Sequence, residues 1–195
     1  MRNAIPPIKQ WLYLLPVLLI GLSGCIPSIT ADSTYDRSVD FQVYRTFALL
    51  EPAMANTSAD PNLYEPLLDR RMRDAIAAEL VKKGMTLDAE NPDLLVAYDV
   101  SVAQDAATAS PDFGYAYWFG YRFNYNTADF QGYRPVAQYT PGTMLIDLIS
   151  ASTNELLWRG VAEGEITVTQ TDESKIRRSI ISILSLYPPN QPPRR

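Results

Sequence analysis

The chain has 195 residues, with 17 basic and 22 acidic side chains, a net charge of −5, a single cysteine and no histidine. That balance excludes a nucleic-acid surface, which needs a concentrated basic field, and the missing histidine removes the commonest general base and transition-metal ligand. Catalysis would fall to carboxylates, Lys, Tyr or Ser, so a binding domain without chemistry, with no metal and no cofactor, is the leading class.

Residues 1–24 read as a cleaved lipoprotein signal peptide. Arg2 and Lys9 precede an uncharged core over residues 11–20 that is too short for a permanent membrane helix. The run Leu22-Ser23-Gly24-Cys25 closes it. Its small residues let the strand lie flat in a peptidase, and the Cys25 thiol is the nucleophile that takes a diacylglycerol with palmitate-type chains. The sequence thus predicts an envelope lipoprotein whose membrane contact is the lipid on Cys25. Ile26 stands where an aspartate would favour inner-membrane retention, so the expected site is the outer membrane, facing the periplasm. Maturation leaves 171 residues with a net charge of −7, since Arg2 and Lys9 are lost. That length suits one domain. Acylation uses the only thiol and leaves no disulfide. Residues 25–28 form the lipidated Cys and a short tether, 29–188 the domain, and 189–195 a tail expected to be mobile.

Within the domain, Ile, Thr and Tyr over residues 29–35 predict a first strand. Residues 39–44 fit a single turn and 45–50 a second strand, while 53–61, rich in Ala, Asn, Ser, Asp and Pro, predict a loop. The clearest helix spans about 62–83. Leu68, Met72, Ala75, Ile76 and Leu80 share one face, Gly84 ends it, and Pro66 is tolerable only near its start. A turn at Asn91-Pro92-Asp93 leads into the best strand, 94–103, where Leu94, Val96, Tyr98, Val100 and Val102 face a core. Its other face turns polar, as where a strand emerges from under a helix. Residues 143–149 and 156–168 predict a hairpin around a polar loop, with Gly160 and Gly164 marking a bulge or close packing. A closing helix over 172–187 would bury Ile176, Ile180, Ile183, Leu184 and Tyr187, and Pro188-Pro189 stops it.

An aromatic-rich insert occupies about 105–140. From Phe113 to Tyr125 every odd position is Phe or Tyr. In a strand, that alternation places the rings on one side. Such a segment either folds its own rings over the sheet edge or presents them as a recognition surface for a glycan, peptide or protein. The candidate binding residues are Tyr115, Tyr117, Trp118, Phe119, Tyr121, Phe123 and Tyr125. Asp99, Asp147, Glu163 and Glu165 fall on predicted strands, where a converging pair would suit glycoside hydrolysis. As single residues they read as solvent-face carboxylates. Lys175 and Ser179 are four apart on the last helix and are expected on its exposed side.

Several segments together resemble a family of bacterial lipoproteins, that of domain of unknown function 4136. They are Val39-Asp40-Phe41 with Tyr44-Arg45-Thr46-Phe47-Ala48, a helix ending Lys82-Lys83-Gly84, and the strand Pro92-Asp93-Leu94-Leu95-Val96. Gly142-Thr143-Met144-Leu145-Ile146-Asp147-Leu148 and Leu156-Leu157-Trp158-Arg159-Gly160 complete the set. The resemblance implies an envelope lipoprotein with an α+β domain and brings no catalytic residues. A looser similarity extends to envelope lipoproteins that assist outer-membrane assembly or cell-wall synthesis. The expected fold is α+β and two-layered: a mostly antiparallel sheet of about five or six strands with two amphipathic helices on one face. The expected role is a non-catalytic binding or assembly-accessory domain with an envelope protein or glycan as partner. The alternative is a carboxylate-dependent hydrolase or lyase acting on envelope glycan.

Overall fold

The computed structural model describes residues 29–50, 66–103, 116–120, 125–128, 130–135, 138–140, 142–163 and 173–190. Cys25, the 53–61 segment, Glu165, Gly164 and the 191–195 tail lie outside them. Among the described residues seven strands form one sheet: β1 (Ala31–Tyr35), β2 (Thr46–Leu49), β3 (Thr86–Leu87), β4 (Leu94–Ala103), β5 (Ala116–Gly120), β6 (Met144–Ser150) and β7 (Leu156–Ala162). Their order is β1-β7-β6-β4-β2-β3, with β5 paired to the far half of β4. With helices α1 (Pro66–Lys82) and α2 (Glu173–Ser185), this is the expected α+β fold. The sheet is mixed, because β2 runs parallel to both β3 and β4 while the other pairs are antiparallel.

Asp93 holds the parallel junction together. Its Oδ2 accepts the backbone N–H of Arg45 at 2.7 Å and of Thr46 at 2.9 Å, while its own N–H donates to Thr46 Oγ1 at 2.9 Å. These bonds fix the start of β2 beside the start of β4, where Phe47 pairs with Leu94. The two backbone N–H groups hold the Asp93 carboxyl below its ordinary pKa.

Both helices obey their local signals. α1 carries Pro66 at the head of its described range, where a missing N–H is tolerated, residues 62–65 of the predicted helix lying outside the described residues, and it stops at Gly84, whose φ of +87° is the left-handed conformation glycine takes without a Cβ clash. α2 buries Ile176, Ile180, Ile183 and Leu184. Against these helices the sheet presents Leu94, Val96, Tyr98 and Val100 of β4, Met144, Ile146 and Leu148 of β6, and Trp158 and Ala162 of β7, all buried. The Tyr98 hydroxyl donates to Asp69 on α1, which ties that helix to the same face. Beyond the end of α2, Tyr187 meets Trp158 and Phe41 edge-on, at ring distances of 5.6 and 5.8 Å.

Two expectations need correction on α2 and β4. Ser179 is buried rather than on the exposed side, because it sits between Ile176 and Ile180 on the stripe facing the sheet, and Lys175 is half-buried. The second face of β4 does not emerge into solvent: Ala97 and Asp99 are both buried. A second layer covers that face.

Gly160 marks close packing, as expected, rather than a bulge; the register irregularity lies between Leu148 and Ile149. A Cβ on Gly160 would meet Ile183 Cγ2 and Trp158 Cη2, each at 2.3 Å. Both neighbours are fully buried and cannot swing away. Gly160→Ala should therefore cost about 1–3 kcal/mol through overpacking, read from urea denaturation midpoints. At the junction, the depressed Asp93 pKa means that the unfolded chain takes up the proton first as pH falls. Its contribution is present above about pH 4 and is lost as pH drops through the lower folded value. Asp93→Asn should cost about 1 kcal/mol at pH 7, a solvent-screened charged hydrogen bond, and should flatten the stability loss below about pH 4.

Candidate functional site

On the sheet face away from the helices, β6 and β7 carry one charged residue each among apolar neighbours. The hairpin register places Asp147 directly opposite Arg159. The guanidinium grips the carboxylate with two bonds, Nε to Oδ1 at 2.7 Å and a terminal nitrogen to Oδ2 at 2.6 Å. Both side chains are at most 3 % exposed. A buried pair of this kind is tolerable only when the remaining donors and lone pairs are satisfied.

The second half of the aromatic insert satisfies them. The Tyr125 hydroxyl donates to Asp147 Oδ2 at 2.5 Å and accepts from Arg159 at 2.6 Å, closing a three-membered network. The other terminal nitrogen of Arg159 donates to the Arg134 carbonyl at 2.8 Å. The ring of Tyr133 lies 4.9 Å from the Arg159 guanidinium carbon, and that of Tyr139 lies 3.6 Å from the Arg134 one. Arg134 also pairs with Glu163 at 2.9 Å near the surface. Backbone bonds hold the segment in place: Asn126 N–H to Asn154 O at 2.8 Å and Leu156 N–H to Asn126 O at 3.0 Å.

The electrostatics follow from burial. Desolvation pulls the Arg159 pKa down, but the Asp147 carboxylate outweighs it, so the net shift is upward and the cation is locked. Burial, then the adjacent carboxylate, pushes the Tyr125 phenol far above its usual range. Burial likewise raises Tyr139. Tyr125 therefore stays a neutral donor at any physiological pH.

The structure separates the candidate binding residues into three groups. Tyr115, Tyr121 and Phe123 lie outside the described residues. Tyr117, Trp118 and Phe119 lie on β5, in register with Val102, Ser101 and Val100 of β4. Tyr125 belongs to the buried network. The carboxylates divide as well. Asp99 and Asp147 are buried, which corrects their reading as solvent-face groups, while Glu163 is exposed beside Arg134. Arg159, Arg134, Tyr133 and Tyr139 were not singled out from sequence. A signal was there: one charge in each of two otherwise apolar strands, MLIDLIS and LLWRGVA, has to find the other.

Two surface concavities lie elsewhere. One, of about 310 Å³, runs between α1 and α2 beside the Arg71–Glu173 ion pair. The other, of about 260 Å³, is lined by Asp36, Asn126, Phe130 and Glu155. Among the described residues no cluster of three or more acids could hold a metal ion, and no helix is long and apolar enough to cross a membrane.

The network makes a quantitative prediction. Asp147→Ala leaves a buried cation unpaired and should cost about 3–5 kcal/mol, whereas Asp147→Leu combined with Arg159→Met should recover most of that loss. Tyr125→Phe removes one donor to a charge and should cost about 1.5–3 kcal/mol. Chemical denaturation of the four proteins checks both, and a double variant no better than Asp147→Ala would contradict the account.

Comparison with known proteins bears on the fold and its family. A PDZ domain protein from Parabacteroides distasonis aligns with a TM-score of 0.53 and 21% identity over 85% of this chain, which spans only 37% of that protein. A DUF4136 family protein from Bacteroides thetaiotaomicron aligns at 0.49 and 14%, covering 82% of this chain and 96% of its own. A PelC dodecamer from Paraburkholderia phytofirmans aligns at 0.38 and 10%, over 80% and 94%. No curated protein matches. The model of the domain of unknown function DUF4136 matches residues 31–189, nearly the whole described fold, and the chain belongs to that family.

Proposed function

We propose that this protein is an outer-membrane lipoprotein, acylated at Cys25 and facing the periplasm, whose domain binds an envelope component without catalysing a reaction. The observation that carries the reading is how the aromatic insert is mounted. One part of it, β5, is a strand of the sheet, and another part is clamped through Tyr125 to a buried ion pair. Rings held on a rigid platform lose little entropy on binding, which suits recognition. Attachment at Cys25 fits the same arrangement, because only five residues separate that cysteine from β1.

A glycan hydrolase or lyase draws less support from the geometry. Asp147 is committed to Arg159 and Tyr125, so it is not available as a general acid or nucleophile. Glu163 sits outside the buried face, beside Arg134.

Two measurements test the reading. Cys25→Ala should move the protein from the membrane fraction to the soluble periplasm or leave it unprocessed; unchanged acylated anchoring would overturn the address. Tyr117→Ala and Phe119→Ala should reduce capture of envelope material from solubilised membranes while shifting stability by less than about 1 kcal/mol. Tyr125→Ala should instead destabilise by about 3 kcal/mol or more, as a buried aromatic does. Equal melting losses at all three positions would make the segment a self-packed cover.

A further inference from the structure

The strand register fixes which end of the sheet the chain enters and what else leaves there. Ala31 pairs with Ala162, Ala162 with Met144, Met144 with Val100 and Val100 with Phe119, so all five residues lie on one rung across the sheet. β1 is antiparallel to β7, β7 to β6, and β6 to β4, so the chain arriving at Ala31 from Cys25 comes from the direction in which β4 runs on past Val100. In that direction β6 and β7 stop at the rung. β4 and β5 do not: Ser101 pairs with Trp118, Val102 with Tyr117 and Ala103 with Ala116. At about 3.3 Å per residue, this ribbon projects about 10 Å beyond the rest of the described sheet.

The tether sets how far that end can stand from a bilayer. Five residues separate Cys25 from Ala31, and the six steps from one Cα to the other reach at most about 20 Å when fully extended. The ribbon closes about half of that span before the residues joining Ala103 to Ala116 are counted. Within it Trp118 lies about 3 Å and Tyr117 about 7 Å past the rung, and these are the residue types that settle at the headgroup level of membranes, where an amphipathic ring meets water and hydrocarbon together.

We propose that β5 rests in the headgroup region of the membrane that holds the Cys25 lipid, with Tyr117 and Trp118 as an interfacial anchor beside the acyl chains. This rests on acylation at Cys25 and names the component that the aromatic strand recognises: a phospholipid interface rather than a soluble glycan or protein. The pairing has a physical logic, because one short hydrophobic attachment leaves a domain free to swivel and a second, weaker contact fixes its orientation.

The chain supplies its own probe. Its three tryptophans are Trp11, lost with the signal peptide, Trp118 and Trp158. Trp158 is fully buried and lies four residues along β7 from the rung, about 13 Å from it. The mature lipidated protein is reconstituted into phosphatidylethanolamine–phosphatidylglycerol vesicles, with and without brominated acyl chains, and vesicle flotation and tryptophan emission are both read. Bromolipid should quench the emission about twofold, since one of two fluorophores sits at the interface, and Trp118→Phe, with unchanged melting, should abolish the quenching while flotation persists. Flotation without quenching, or quenching that survives Trp118→Phe, overturns the interfacial strand and leaves the lipid anchor standing. Failure to float overturns the anchor and the inference with it. A Trp118 signal that responds to soluble peptidoglycan fragments and not to bromolipid assigns β5 to glycan and also overturns it.

Discussion

The architecture depends on a carboxylate and a guanidinium that face each other across the central hairpin. Asp147 and Arg159 sit in the two strands most completely buried, among residues that are nearly all inaccessible. An ion moved into such surroundings loses several kcal/mol of hydration, and mutual attraction recovers it only with ideal geometry and full hydrogen bonding. The hairpin alone provides the two parallel bonds of the pair and nothing more. Tyr125, the Arg134 carbonyl and the ring of Tyr133 supply the rest. Tyr125, Tyr133 and Arg134 are therefore required by the hairpin they cover, and β6 and β7 are buried on both faces, apolar against the helices and polar at the centre of the other side.

That arrangement explains what could and could not be read from sequence. Strand β4, the α2 stripe and the cap at Gly84 are legible because each is a local pattern: alternation, three-and-four spacing, a left-handed stop. The buried polar residues are not. Periodicity identifies an apolar face, but on a strand covered from both sides a polar residue gives no sign of whether water or a partner satisfies it. For this reason Asp99 and Asp147 look like solvent groups in the sequence and are buried in the fold, as is Ser179, which shares the stripe of Ile176 and Ile180. The parallel pairing of β2 with β4 was equally hidden, since it rests on Asp93 bonding to backbone 47 and 48 residues away.

The segments on which the family resemblance rests acquire a structural meaning. Four of them fall into two contacting pairs. Arg45-Thr46-Phe47 meets Asp93-Leu94 through reciprocal side-chain and backbone bonds at the parallel junction. Residues 142–148 meet 156–160 in the hairpin that holds the ion pair and the close approach at Gly160. Each pair consists of residues whose chemistry is demanded by the other member, so a motif that looks weak in isolation is specific in combination.

The aromatic insert divides along the same physical line. Where a ring carries a hydroxyl that a buried charge needs, as at Tyr125, the residue is part of the core, and its alternation with polar neighbours reflects satisfaction of that charge. Where the insert runs as β5 along the projecting half of β4, its backbone is a strand of the sheet, and Asp99, the buried carboxylate of that stretch, stands opposite Gly120 in the ladder. A single compositional signal, every second residue aromatic, thus spans a residue that serves a buried charge, Tyr125, and a strand, β5, held by its ladder to β4. The charge that Tyr125 serves sits three residues along β6 from Met144, about 10 Å inside the end at which the chain enters, while Tyr117 and Trp118 lie past that end.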